Sequence, residues 1–149
     1  MQIRYYDGAD RSEWQRMRTA LWPDQSSAEM EEWLGRADAA VIVADSGAGE
    51  LCGFVEVGER SIADGCASSP VAYVEGWWVD PDVRRRGIGG RLIAEAEAWA
   101  STRGRSELAS DTTLGNTVSQ KAHVRLGFVE VERAVLYRKV VTVKGTCGS

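Results

Sequence analysis

Residues 83–99 read VRRRGIGGRLIAEAEAW: three consecutive arginines, three glycines within four positions, then a run whose apolar residues recur at helical spacing. Leu92, Ile93, Ala96, Trp99 and Ala100 fall on one helical face, which predicts a helix from about Gly89 to Thr102. Just upstream, VAYVEGWWV at 71–79 reads as an apolar strand that Pro81 brings to an end. The glycines therefore lie between a strand and a helix N-terminus, where unpaired N–H groups and the helix dipole favour an anion. Gly87, Gly89 and Gly90 leave the backbone open to close approach. A Walker loop requires GxxxxGK[ST], and no lysine follows these glycines. A dinucleotide fingerprint would put its third glycine where Leu92 stands, and PDVRRR separates the glycines from their strand. Glu107, about 20 residues on, only partly matches the acid of that fingerprint. Another kind of phosphate site and a solvated basic turn with helix-capping glycines both remain.

The rest of the chain reads as an α/β (α+β mixed) protein with a mixed sheet. Gln2–Tyr6 is an expected first strand, and Asp10 with Glu13 a capping box opening a helix with apolar Trp14, Met17 and Leu21. Ser26 with Glu29 repeats that signal before a short helix ending near Leu34. Ala39–Ala44 and Leu51–Val57 form an expected strand pair joined by the turn-rich DSGAGE. Beyond the opening stretch, Glu107–Ser110 reads as a strand and Thr117–Leu126 as a helix with Gly127 at its C-terminal cap. Phe128–Arg133 and Val135–Val141 read as two further strands. Residues 1–143 are expected to form one domain, and 144–149 a disordered tail.

With 149 residues the chain can bury a real core. It has 18 basic and 22 acidic residues, and setting Arg84, Arg85 and Arg86 aside leaves 15 basic ones. An acidic protein with one compact basic spot suits a small anionic ligand better than nucleic acid, which needs an extended basic surface. No apolar run is long enough to span a bilayer, so no membrane partner is expected. The N-terminus lacks a signal-peptide core, and Cys52, Cys66 and Cys147 form neither a CxxC pair nor an even set. A cytoplasmic location without disulfides or bound metal is the expectation; a single histidine, His123, also weakens a histidine-cluster metal site.

Motifs along most of the chain carry a resemblance. Arg84-x-x-Gly87-x-Gly89, the preceding Val79-Asp80-Pro81, Asn116 and Gly127-Phe128 occur in the order found in the GCN5-related N-acetyltransferases (GNAT). LWP at 21–23, GCASSPV at 65–71, EGWWVDP at 75–81, ELASDT at 107–112 and NTVSQKAHVRLGF continuing into EVERAVLYRK at 116–139 resemble the aminoglycoside 6′-N-acetyltransferases of that superfamily. The resemblance implies a mostly antiparallel twisted sheet of six to seven strands with about four helices and a splayed strand pair holding acetyl-CoA. It implies that an amine attacks the thioester directly, through a tetrahedral intermediate, with no metal. Commonly these enzymes are homodimers.

By the same resemblance, the backbone of Trp77, Trp78 and Val79 pairs with the pantetheine arm. Arg84, Arg85, Arg86, Gly87, Ile88, Gly89 and Gly90 hold the pyrophosphate, and Asn116 contacts the coenzyme arm. Strand alternation places Val71, Tyr73, Glu75, Trp77 and Val79 on one face, so a carboxylate stands among bulky groups. Such a group needs a partner or a function; an exposed edge position, a structural ion pair and a role in acceptor binding or proton removal all remain. Asp111, after a short strand, begins a turn or faces the acceptor; the resemblance favours the second. Together Glu75 and Asp111 suit a substrate with several ammonium groups. Trp22 and Glu132 are weaker candidates for that pocket. His123 stands where many family members have a tyrosine that protonates the leaving thiolate, and an imidazole can do so too; packing against the coenzyme is its alternative role.

Overall fold

The computed structural model describes residues 1–145, so Cys147 and the end of the tail lie outside the described residues. Its sheet follows chain order: β1 (Gln2–Tyr5), β2 (Ala39–Gly47), β3 (Glu50–Arg60), β4 (Val71–Val79) and β5 (Leu108–Ser110). The first three pairings are antiparallel and β4/β5 is parallel. A parallel neighbour needs a crossover, supplied by α3 (Ile88–Thr102). Helices α1 (Arg11–Leu21) and α2 (Ala28–Leu34) follow β1, and α4 (Thr117–Arg125) follows β5. Ala48 and Gly49 both have positive φ in the β2/β3 turn, the geometry that lets a two-residue loop match the strand twist. No described helix is long and apolar enough to cross a membrane.

Period-two alternation gives each sheet face its own core. Ile42, Val55, Val57 and Val74 pack with Leu92 and Ile93 under α3. Val41, Val43 and Phe54 pack with Trp14, Met17 and Met30 under α1 and α2. Each large side chain buried there is worth about 1.5–3 kcal/mol.

The strands expected at 128–133 and 135–141 do not form, and the described residues hold five strands instead of six to seven. That segment runs exposed, with Leu136 and Tyr137 more than nine-tenths accessible at 93% and 92%. Its alternating pattern expresses strand propensity, but among the described residues no strand pairs with it. The capping boxes are also placed differently. Asp7 and Asp10 form one around the short turn Gly8–Asp10. Asp10 is drawn back because its carboxylate accepts from Asp7 N–H and from both Arg4 Nη atoms. Glu13 instead receives Arg16 and the Leu51 N–H. Ser27, not Ser26, precedes α2, without a side-chain cap.

A register slip in β4 matters most for the site. Glu56 faces Gly76 while Val57 faces Val74, so Glu75 is an extra, unpaired residue in a β-bulge. The alternation expected from the sequence breaks there. Trp77 and Val79 join Ala72 and Val74 on the α3 face, whereas Gly76 and Trp78 turn toward α1.

Beneath that slip, Glu56 is 1% exposed and is held by Arg18 at 2.5 Å and by Trp14 Nε1 at 3.0 Å. Burial pushes its carboxyl up from the usual carboxylate value, and the Arg18 guanidinium opposes that shift. Removing one member of such a pair strands the other charge. Glu56→Ala is expected to lower the unfolding free energy by about 3–5 kcal/mol in urea titrations, and Arg18→Leu with Glu56→Leu by clearly less.

Asp10 is held below the usual carboxylate range, chiefly by the Arg4 hydrogen bonds. A depressed native pKa gives stability that is complete above the unfolded value of about 3.9 and is lost as pH falls through the native one. Asp10→Asn is therefore expected to be less stable at pH 7 and to show a shallower loss of stability below about pH 4, followed by denaturant midpoints across that range.

Candidate active site

The β4/β5 ladder has three pairs, ending at Val74/Ser110. Glu75 through Val79 continue without a neighbour on that side, leaving an open strand edge. Asp80 and the turn Pro81–Val83 then lead to α3. Gly87, at φ +80°, caps the helix with no side-chain hydrogen bond. The first bond closing the helix runs from the Arg91 N–H to the Gly87 carbonyl. The N–H groups of Ile88, Gly89 and Gly90 precede it and face outward for an anion. Arg85, itself at φ +67°, and Arg86 are exposed beside them and form no ion pair among the described residues. Arg84 is committed inward: its Nε donates to the Val79 carbonyl at 2.8 Å and its guanidinium stacks on Trp78.

The glycines divide the work in a way the sequence does not reveal. A Cβ on Gly89 would stand 3.1 Å from the Trp77 ring, and one on Gly90 3.1 Å from Leu126. Both are small so that α3 can lie close to β4 and α4. Only Gly87 is required by its positive φ. Glu107, the partial dinucleotide match, is spent on Ala67 and Ser68, whose N–H groups it accepts.

Local chain chemistry also places His123. Gly127, at φ +94°, ends α4; its N–H donates to the Val124 carbonyl and the Phe128 N–H to the His123 carbonyl. That Schellman arrangement folds Phe128 back against His123, whose ring stands edge-on between Phe128 and Trp77. Nδ1 lies 2.7 Å from the Ser119 carbonyl, so it carries a proton. Nε2, 2.8 Å from Ser110 Oγ, accepts from that hydroxyl when the ring is neutral. A neutral His123 thus has no free proton; only the imidazolium could give one, through Ser110 or directly. Asn116 caps α4 by accepting the Ser119 N–H, which leaves its NH2 uncommitted.

Glu75 and Asp111 do meet in one cluster, joined by two residues the sequence reading missed. Arg60, at the end of β3, donates to both Glu75 oxygens at 2.6 and 2.7 Å and lies 3.5 Å over the Tyr73 ring. The Tyr73 hydroxyl in turn donates to Asp111 Oδ2. Burial, then that bond to a carboxylate, hold the Tyr73 phenol well above its usual pKa. Trp22 closes over β4 next to the cluster: a Cβ on Gly76 would run into its ring, and Arg18 stacks on it at 4.9 Å. Glu132 is not brought to the cluster; it lies on the exposed segment, and no hydrogen bond among the described residues joins it to Glu75 or Asp111. The ion pair of Arg60 with Glu75 would have been hard to foresee, because the bulge and the length of the β3/β4 loop set its register. No group of three or more metal-ligating side chains is found among the described residues.

Residues 10–128 match the family model described as Acetyltransferase (GNAT) family. The aminoglycoside N(6′)-acetyltransferase type 1 of Klebsiella aerogenes is 41% identical over 144 residues, covering 92% of this chain and 95% of that one. Its counterpart in Serratia marcescens is 44% identical over 133 residues, covering 86% and 91%. Among solved structures, AAC(6′)-Iy in complex with the bisubstrate analogue CoA-S-monomethyl-acetylneamine superposes with a TM-score of 0.87 at 38% identity, over 94% of this chain and 98% of that one. AAC(6′)-IG from Acinetobacter haemolyticus, without ligand, gives 0.87 at 33% identity, over 95% and 100%. With the open β4 edge, the uncapped glycine turn into α3 and the parallel β4/β5 pair already in place, these matches make the chain a member of the GNAT acetyltransferase family.

Proposed function

We propose that the protein acetylates the 6′-amino group of aminoglycosides, using acetyl-CoA as donor. The observation that carries this reading is the carboxylate cluster of Glu75 and Asp111 at one end of the open β4 edge, with the uncapped α3 N-terminus at the other. One end suits a polycation and the other a pyrophosphate. The enzymes that the chain matches over most of its length are named for the same reaction.

The residues present fit the coenzyme. Trp77 Nε1 is the one buried side-chain donor without a partner among the described residues, and it lies beside Gly89 at the turn. Ile88, Gly89 and Gly90 N–H groups with Arg85 and Arg86 hold the phosphates, Arg84 braces the turn, and Asn116 offers its NH2 to the coenzyme arm. The free backbone edge of Trp77, Trp78 and Val79 offers strand-like pairing. Bound acetyl-CoA supplies the acetyl thioester. Glu75 and Asp111 bind the acceptor's ammonium groups against the wall formed by Trp22, and Glu75 takes a proton from the attacking amine directly or through water, as a primary amine is mostly protonated at neutral pH. His123, when protonated, returns a proton on the leaving side, with Ser110 within hydrogen-bond reach.

Residues 1–143 act as one acetyltransferase domain, and the protein works in the cytoplasm as a homodimer. The exposed segment supports the dimer: Val131, Val135, Leu136, Tyr137, Val140 and Val141 are all open to solvent on a stretch that is neither helix nor strand. Apolar surface of that extent marks an interface, and the outer edge of β5 is unpaired in the sheet order. Glu132 travels with that segment, so any contact it makes with an acceptor depends on where the segment packs.

In a thiol-release assay, kanamycin or tobramycin is expected to drive turnover of acetyl-CoA, while peptides and linear polyamines give background rates. Rapid turnover with those amines and none with the aminoglycosides would reassign the substrate. Glu75→Ala and Asp111→Ala are each expected to reduce kcat/KM by at least about 10²-fold; unchanged kinetics would remove both from the site.

Light scattering is expected to give twice the chain mass for the intact protein and a single chain mass after deletion of residues 129–149, with the deleted form binding a hydrophobic dye no better than the intact one. A monomeric intact protein would overturn the dimer.

A further inference from the structure

The acceptor pocket already contains an organic cation. Arg60 satisfies both oxygens of Glu75 and lays its guanidinium 3.5 Å over the face of Tyr73. Tyr73 carries Asp111 at its other end. The two carboxylates are therefore not equivalent. Asp111 is exposed and forms no ion pair among the described residues, whereas Glu75 is fully neutralised by a neighbour. A carboxylate beside an aromatic face is a site for an organic ammonium, and the guanidinium fills it.

The geometry points to Arg60 as a surrogate ammonium: it seats Glu75 in the empty pocket and is exchanged for an ammonium of the acceptor when the acceptor binds. This rests on the aminoglycoside reading above. A guanidinium that stayed would present a fixed positive charge to a polycation and occupy both oxygens that the reading assigns to the acceptor. Exchange is favoured by the setting. The Arg60 side chain is 44% exposed and Glu75 25%, so the pair is only partly withdrawn from water and is weak enough to be replaced. Arg60 also ends β3, next to the loop 61–70, and its head can turn out into solvent with its charge hydrated. One cation replaces another on Glu75, so the exchange leaves that carboxylate neutralised. Meanwhile a second ammonium meets Asp111, which has no resident cation to displace. The bridge has a further consequence: it keeps Glu75 from collapsing toward other cations before substrate arrives, so its side chain is already in place.

The test is equilibrium binding of kanamycin, without acetyl-CoA, to the wild-type protein and to the R60Q and R60K variants. R60Q is expected to bind about two- to five-fold more tightly at low ionic strength, the gain shrinking with added salt, and R60K to behave like the wild type. In the 15N-labelled wild-type protein, the Arg60 Nε–H resonance, assigned by its loss in R60Q, is expected to shift and lose its protection from solvent exchange at saturating kanamycin. A resonance that stays in place, or weaker binding by R60Q with R60K restoring it, would make Arg60 a fixed brace and overturn the exchange. The NMR arm needs no variant to fold. Turnover of kanamycin by the same preparation separates the two readings: absent turnover sinks the substrate assignment, whereas turnover with an unmoved Arg60 sinks only the exchange.

Discussion

One inserted residue in β4 organises the site. Because Glu75 has no partner on β3, every side chain after it changes face relative to those before it. Trp77 then reaches the α3 side, where it packs against Gly89 and His123. Gly76 turns under Trp22, and Glu75 itself projects where Arg60 can meet it. The slip also falls one residue past the last β4/β5 pair, so the strands separate where the face changes. The bulge is backed by the buried set of Glu56, Arg18 and Trp14, since Glu56 is the residue at which the register slips.

That explains which parts of the molecule were legible in the sequence. Elements with strong periodicity and local punctuation could be read: α3 from its apolar stripe, the β2/β3 hairpin from its glycines, the end of α4 from Gly127. The anion-binding turn could be read because its chemistry is local. The faces of β4 could not, since a bulge leaves no mark on the strand that carries it; VAYVEGWWV alternates equally well without one. The Arg60 bridge was hidden for the same reason. It joins residues 15 apart whose meeting depends on that slip. The Asp10–Glu13 box failed because Arg4, distant in kind from any capping rule, holds the Asp10 carboxylate.

The end of the chain shows the opposite limit. The run from Val129 to Val143 has the composition of strands, and the reading of it as strand is sound chemistry. A strand is a property of two backbones, though, and among the described residues the second is missing. Val131 lies against Gly65 of the β3/β4 loop. Sequence pattern identifies what a segment needs; it does not say which chain provides it.

The charges of the site follow from the same strand. Between Glu75 and Val79 the chain advances about 13 Å at roughly 3.3 Å per residue. At one end stand two carboxylates, at the other Arg85, Arg86 and the positive end of α3. In a protein of net charge −4, the basic spot is a local exception, and the acidic remainder suits a cationic acceptor. On the proposed function, two ligands of opposite sign are drawn to opposite ends of a single strand edge and meet over its uncharged middle, Gly76 to Trp78. Neutral backbone is what a transfer between them requires: its N–H groups can polarise a carbonyl without competing for either ligand's charge. The open edge past the bulge is thus the strand on which the proposed reaction places both the coenzyme and the acyl transfer.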